Sequence, residues 1–116
     1  MDMVTIIEKI QGFTNVQVRL IEKDRPFMDC VLEKKDVEAC FSLIRNELGD
    51  PVKDFNAPVR LTSDIRTIVD QMGGIWKDQC LFLKKQEERQ FLFAMFWPWQ
   101  SDLQLVTLKI GVYRQT

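Results

Sequence analysis

One uninterrupted apolar stretch decides the fold of this chain: Phe91-Leu92-Phe93-Ala94-Met95-Phe96-Trp97. A strand with one face in water alternates apolar and polar residues, and this stretch does not alternate. We therefore expect a strand that is covered on both faces. Whatever covers the second face is the first lead to function, because an apolar patch of that size is rarely left in water.

Two further strands flank this stretch and predict an antiparallel meander at the C-terminus. Residues 75–85 form the strand before it, and a charged turn over 86–89 joins the two. A loop over 98–102 leads to the last strand, residues 103–114, in which Val106, Leu108 and Ile110 share one face. Sequential strands with connections this short are typical of hairpins.

The rest of the chain predicts three amphipathic helices and one more hairpin. In order, these are a helix over 2–11, strands over 16–20 and 27–32, a helix over 36–48 capped by Asp36, and a helix that follows Thr62 or Ser63. Strands cluster with strands, so the predicted fold is α+β, in the order α-β-β-α-α-β-β-β. We expect one domain over residues 1–116, with the helices on one face of an antiparallel sheet.

The composition is that of an ordinary globular domain. With 46% hydrophobic and 28% charged residues, a chain of 116 residues can bury a core without disulfides or metals. A net charge of −1 argues against nucleic acid as a partner, because that affinity comes mainly from neutralising phosphates. No apolar run approaches the ~20 residues that span a bilayer, and the N-terminus lacks a signal-peptide pattern. We expect a cytoplasmic protein with no membrane partner.

The usual carriers of catalysis and metal binding are missing from the sequence. There is no histidine, which excludes the common Ser-His and Cys-His nucleophile pairs. Cys30, Cys40 and Cys80 fall on inferred apolar faces and lack the close pairs of a zinc site. We expect no enzyme activity, no cofactor and no metal. An enzyme that depends on a carboxylate or a thiol is kept as an alternative, after the two binding functions described below.

The segment 89–96 is similar in its spacing of Arg and Phe to a strand of the RNA recognition motif family, whose aromatics stack on unpaired bases. It departs from that family at Gln90 and Leu92, which replace small residues. The element order also differs from the β-α-β-β-α-β of that family. We therefore expect these phenylalanines to pack within the protein.

A cluster of aromatic side chains is the remaining candidate for a site. Aromatic residues are enriched at the cores of interfaces and in the walls of ligand cavities. The candidate interaction or ligand-binding residues are Trp76, Phe91, Phe93, Met95, Trp97 and Trp99.

Two binding functions fit this cluster. The first is an interaction domain that binds a protein partner or forms a homodimer through the aromatic sheet face. The second is a protein that binds an apolar small molecule in a cavity lined by Trp and Phe. The sequence leaves open which face of the 91–97 strand the helices cover.

Overall fold

The computed structural model describes residues 3–13, 16–22 and 27–115. Over these residues the chain forms three helices and five strands, which confirms the predicted α+β class and element order. The elements are α1 (Met3–Gln11), β1 (Gln17–Glu22), β2 (Phe27–Glu33), α2 (Lys34–Leu48), α3 (Ser63–Gln71), β3 (Cys80–Glu87), β4 (Gln90–Pro98) and β5 (Leu105–Arg114). Position 2, where the first helix was predicted to start, and residues 23–26, between the two strands of the first predicted hairpin, lie outside the described residues.

The described strands form one antiparallel sheet in the order β1-β2-β5-β4-β3. Strands β3, β4 and β5 are the predicted meander. The N-terminal hairpin joins it through β2, which pairs with β5 over the whole of β2. Strand β4 therefore lies between two neighbours, and an apolar side chain on either of its faces can be buried.

The register of β4 shows which side chains share a face. Phe96 is the partner of Leu108 on β5 and of Cys80 on β3, so these three side chains point to the same side. Helices α1 and α2 pack on this first face and complete the larger core. The full burial of a side chain such as Phe96 contributes about 1.5–3 kcal/mol. The even-numbered residues of β4 therefore belong to the main core.

The odd-numbered residues of β4 point to the second face, where α3 packs. Val69 of α3 forms a smaller buried cluster with Leu81 and Met95, and Trp97 packs against it. Helices α1 and α2 thus pack on one face of the sheet, and α3 covers part of the opposite face. Because α3 covers part of the second face, the sheet exposes less apolar surface to water than it would with helices on one face only.

The helix starts depend on different groups. Thr62 caps α3 as predicted, and its Oγ1 accepts from the Ile65 N–H at 3.4 Å. Helix α2 starts earlier than predicted, with Glu33 at the N-cap, and Asp36 lies in its first turn. The prediction of an Asp36 cap is wrong because β2 runs straight into α2. The Lys34 N–H donates to the Gln104 carbonyl at 2.7 Å and so needs no side-chain cap.

Candidate binding site on the second face of the sheet

A cavity of about 470 Å³ opens on the second face, beside the C-terminal end of α3. Its volume is in the range that small-molecule sites occupy. The side chains that line it come from β1, β2, β4, β5 and the end of α3: Glu22, Phe27, Met72, Phe93, Met95, Trp97, Lys109, Val112, Tyr113 and Arg114. The strands that form its floor are the best-supported part of the sheet, since β4 and β5 pair along their full lengths.

Strand alternation builds the aromatic floor. Phe93, Met95 and Trp97 are two residues apart on β4 and therefore point to the same side. Gly111 of β5 is the register partner of both Phe27 and Phe93. Because glycine has no side chain, the two rings meet across it, with centroids 6.5 Å apart. The floor is therefore a continuous apolar surface that spans three strands.

The end of α3 forms one wall of the cavity. Met72 caps this helix and lines the cavity. The Tyr113 hydroxyl of β5 donates to Oε1 of Gln71, the last residue of α3. This bond connects the helix end to the sheet and holds the wall beside the aromatic floor.

Lys109 brings a positive charge over the aromatic floor. Its Nζ lies 4.2 Å from the centroid of the Trp97 ring, a distance at which a cation is attracted to the face of an indole. Among the described residues it makes no ion pair.

The Trp97 side chain carries an unpaired hydrogen-bond donor. Its Nε1 is buried and has no hydrogen-bond partner among the described residues. Such a donor costs about 1–3 kcal/mol while it stays unpaired.

A β-bulge explains why Lys109 is unpaired. Asp29 of β2 is the register partner of Lys109, so a carboxylate is close by. The register shift between Val18 and Leu20 makes Arg19 an extra residue of β1. The Arg19 guanidinium reaches Asp29 and donates to Oδ1 from Nε at 3.0 Å and from Nη2 at 2.7 Å. The carboxylate is thereby neutralised by Arg19, and the ammonium of Lys109 extends to Trp97 instead.

The six predicted site residues fall into two groups. Phe93, Met95 and Trp97 come together in the floor of the cavity. Phe91 is half-buried on the same face, with Tyr113 as its register partner, and lies outside the lining. Trp99 is half-buried, and its Nε1 donates to Thr107 Oγ1 at 2.8 Å.

The structure separates Trp76 from this group. It is 73% exposed and lines a separate depression of about 680 Å³, together with Pro98 and Gln100. Its closeness in sequence to the apolar strand predicts a place in the cluster, but Trp76 lies outside the strand, since β3 begins at Cys80. Nothing in the described structure places it at the cavity.

Sequence reasoning missed the polar half of the site. Alternation along β5 puts Lys109 on the face opposite to Leu108, but only the pairing of β5 with β4 brings it beside Met95 and the aromatic floor. The sequence did contain a signal for it: Lys109 belongs to β5, which follows the apolar strand β4 along the chain, and β4 is apolar on both of its faces. Phe27 and Tyr113 are separated by most of the chain, and only the β2–β5 pairing brings them together.

A second cavity, of about 730 Å³, lies between the start of α2 and the loops beside β4. Phe41, Phe55 and Leu103 give it an apolar lining, and its rim carries both Lys34 and three carboxylates. None of the six predicted site residues lines it. The second-face cavity differs from it in having an unpaired cation and an unpaired donor on side chains of its floor.

The thiols offer no nucleophile. Cys30, Cys40 and Cys80 are all fully buried. Burial raises the pKa of each thiol from 9.0 to about 12, so the thiolate does not form at neutral pH. Within the described residues no group of three or more Cys, Asp or Glu is arranged to hold a metal ion.

None of the described helices has the length and apolar character needed to cross a membrane. Comparison of the chain with protein-family models, with curated proteins and with solved structures finds no match. A function for this chain therefore has to be inferred from its own side chains.

Proposed function

We propose that this protein is a non-catalytic binding domain whose ligand is a small molecule with a flat apolar body, held in the second-face cavity. The observation that carries the proposal is the continuous aromatic floor made by Phe27, Phe93 and Trp97 beneath a concave wall. Aromatic floors of this kind attract planar molecules through apolar burial and offset stacking.

Concavity favours a small molecule over a flat protein interface. The lining surrounds the cavity from β1, β2, β4, β5 and the end of α3, so a flat protein surface would leave much of the space unfilled. A volume of about 470 Å³ is in the range that small molecules fill. Self-association through the same face stays a prediction, and the covering by α3 reduces the apolar area that motivated it.

Binding without catalysis suits the chemistry of the lining. Its titratable side chains are Glu22, Lys109, Tyr113 and Arg114, and the Tyr113 hydroxyl already donates to Gln71. A general acid or base works beside a second group that is held within hydrogen-bond reach of the reacting atoms. The lining places the Lys109 ammonium over the Trp97 ring, an arrangement that can hold a ligand.

The test is an NMR titration of the protein with two planar aromatic probes, cinnamate and cinnamyl alcohol. We expect at least one probe to shift the Trp97 indole N–H and the Met95 methyl signals saturably. The variant Met72→Trp fills the mouth of the cavity and should abolish the shifts. Leu103→Trp is the matched control, since it makes the same change at the other cavity and should leave the shifts intact.

Two results would overturn the proposal. One is the absence of shifts at Trp97 and Met95 with both probes. The other is equal loss of binding in Met72→Trp and Leu103→Trp, which would place the probe elsewhere. Both variants need native circular dichroism before the comparison is made.

A further inference from the structure

We propose that the ligand of this cavity is an organic anion, a planar apolar molecule with a carboxylate or similar acidic group, and that Lys109 is the residue that selects the charge. The inference rests on the proposed function and adds the chemical class of the ligand. It is carried by the charges that face the cavity and by the two groups that the protein leaves unpartnered there.

The charge nearest the aromatic floor favours an anion. Lys109 carries this charge on the second face, whereas alternation along β5 directs the Arg114 side chain to the first face. Glu22, at the end of β1, is the one carboxylate among the described lining residues. Asp29 is the register partner of Lys109, but two bonds from Arg19 already neutralise its carboxylate. An anion that lies on the floor therefore meets the unpaired ammonium of Lys109.

The position of Lys109 suits a ligand with a ring and an acid group. Its ammonium lies above the Trp97 ring, within the aromatic floor instead of at the outer rim. A planar ligand that lies against this floor brings its acid group to the ammonium without leaving the rings. The result is a charge-assisted hydrogen bond in surroundings that are drier than bulk water, where such bonds are strong.

Trp97 supplies the second observation. Its Nε1–H is buried and unpaired among the described residues, so the free protein carries an unsatisfied donor on a side chain that lines the cavity. An anionic oxygen is the strongest acceptor for an indole N–H. A carboxylate has two acceptor oxygens, so it can offer one to the Lys109 ammonium above the ring and the other to the Trp97 N–H at the ring edge.

The test compares cinnamate with cinnamamide, which has the same planar body and no charge. We expect cinnamate to bind the native protein about tenfold more tightly, as one ionic contact at a partly buried site predicts. The preference should disappear in Lys109→Met, which keeps the length of the side chain, and persist in Lys109→Arg. Added salt should weaken cinnamate binding alone.

A second variant examines the indole. Trp97→Phe keeps an aromatic floor and removes the N–H, so it should weaken cinnamate binding more than cinnamamide binding. Melting curves of each variant show that the fold is retained before affinities are compared.

The outcomes separate this inference from the proposed function. If both probes bind in the cavity with equal affinity, or if Lys109→Met keeps the preference, the anion inference fails and the binding site stands. If neither probe binds, the proposed function fails as well, and the inference falls with it.

Discussion

Burial determines the chemistry of each cysteine. The three thiols are 0% exposed, and each belongs to the core between the first face and helices α1 and α2. Desolvation is the largest cause of the raised pKa at Cys30, Cys40 and Cys80, because a thiolate would lose its water. The sequence-based interpretation of these residues as small apolar core side chains is confirmed by their positions.

The raised thiol pKa predicts weaker folding in alkali. An unfolded thiol ionises above pH 9.0 while the folded one stays protonated up to about pH 12, so stability present at neutral pH is lost across that interval. Each thiol should lower the free energy of unfolding by about 1.4 kcal/mol per pH unit there. Urea denaturation over this range should give a shallower decline for Cys40→Ala than for the native chain. Parallel declines would contradict the buried-thiol account.

At the scale of elements, Lys53 connects the loop before α3 to the loop before β3. The side chain is 3% exposed. Its Nζ donates to the carbonyls of Asp54, at 2.8 Å, and Gln79, at 2.7 Å, and also to that of Lys77. The carbonyls of Lys77 and Gln79 lie in the segment 75–79, which was predicted to be strand, and β3 begins only at Cys80.

Removal of this ammonium should be costly. Lys53→Met leaves buried carbonyls without a donor, and we expect a loss of about 3 kcal/mol in the free energy of unfolding. Lys84→Met is the matched control, since Lys84 Nζ makes one exposed bond, to the Glu47 carbonyl at 3.1 Å, and its loss should cost less than about 0.5 kcal/mol. Chemical denaturation measures both. Equal effects would show that Lys53 does not hold the loops.

The whole molecule is a sheet with a deep core on one face and a shallower, partly concave cover on the other. Phe96 lies in the deep core, in contact with the rings of Phe41, Phe55 and Phe82. Phe91 lies on the second face and is half-buried. The two phenylalanines are in one strand, and the tertiary structure gives them different roles.

A charge at each position should separate the two faces. Phe96→Asp should prevent folding, because an isolated carboxylate cannot be buried among aromatic rings. Phe91→Asp should fold, and circular dichroism distinguishes the two. Light scattering on the native chain and on Phe91→Asp examines the homodimer prediction: a native dimer that Phe91→Asp splits would support it. A monomeric native chain would contradict the homodimer, and a folded Phe96→Asp would contradict the assignment of faces.

The sequence pattern by itself determined the elements and the class of fold. Alternation in β5, the helical spacing of apolar residues and the Thr62 cap are local signals that the structure confirms. The Asp36 cap and a strand start at residue 75 were local signals too, and the structure contradicts both. The uninterrupted apolar stretch of β4 also indicated a strand covered on both faces, and a cluster of buried residues on each face confirms it.

The tertiary structure alone decided which face was deep, where α3 packed, and which charge stood beside the aromatic floor. These depend on the order β1-β2-β5-β4-β3, which brings Phe27 and Lys109 next to β4 from distant parts of the chain. They also depend on the bulge that turns Arg19 to Asp29 and leaves Lys109 unpaired. A period-two pattern fixes which residues share a face of one strand, but not which strand lies beside it.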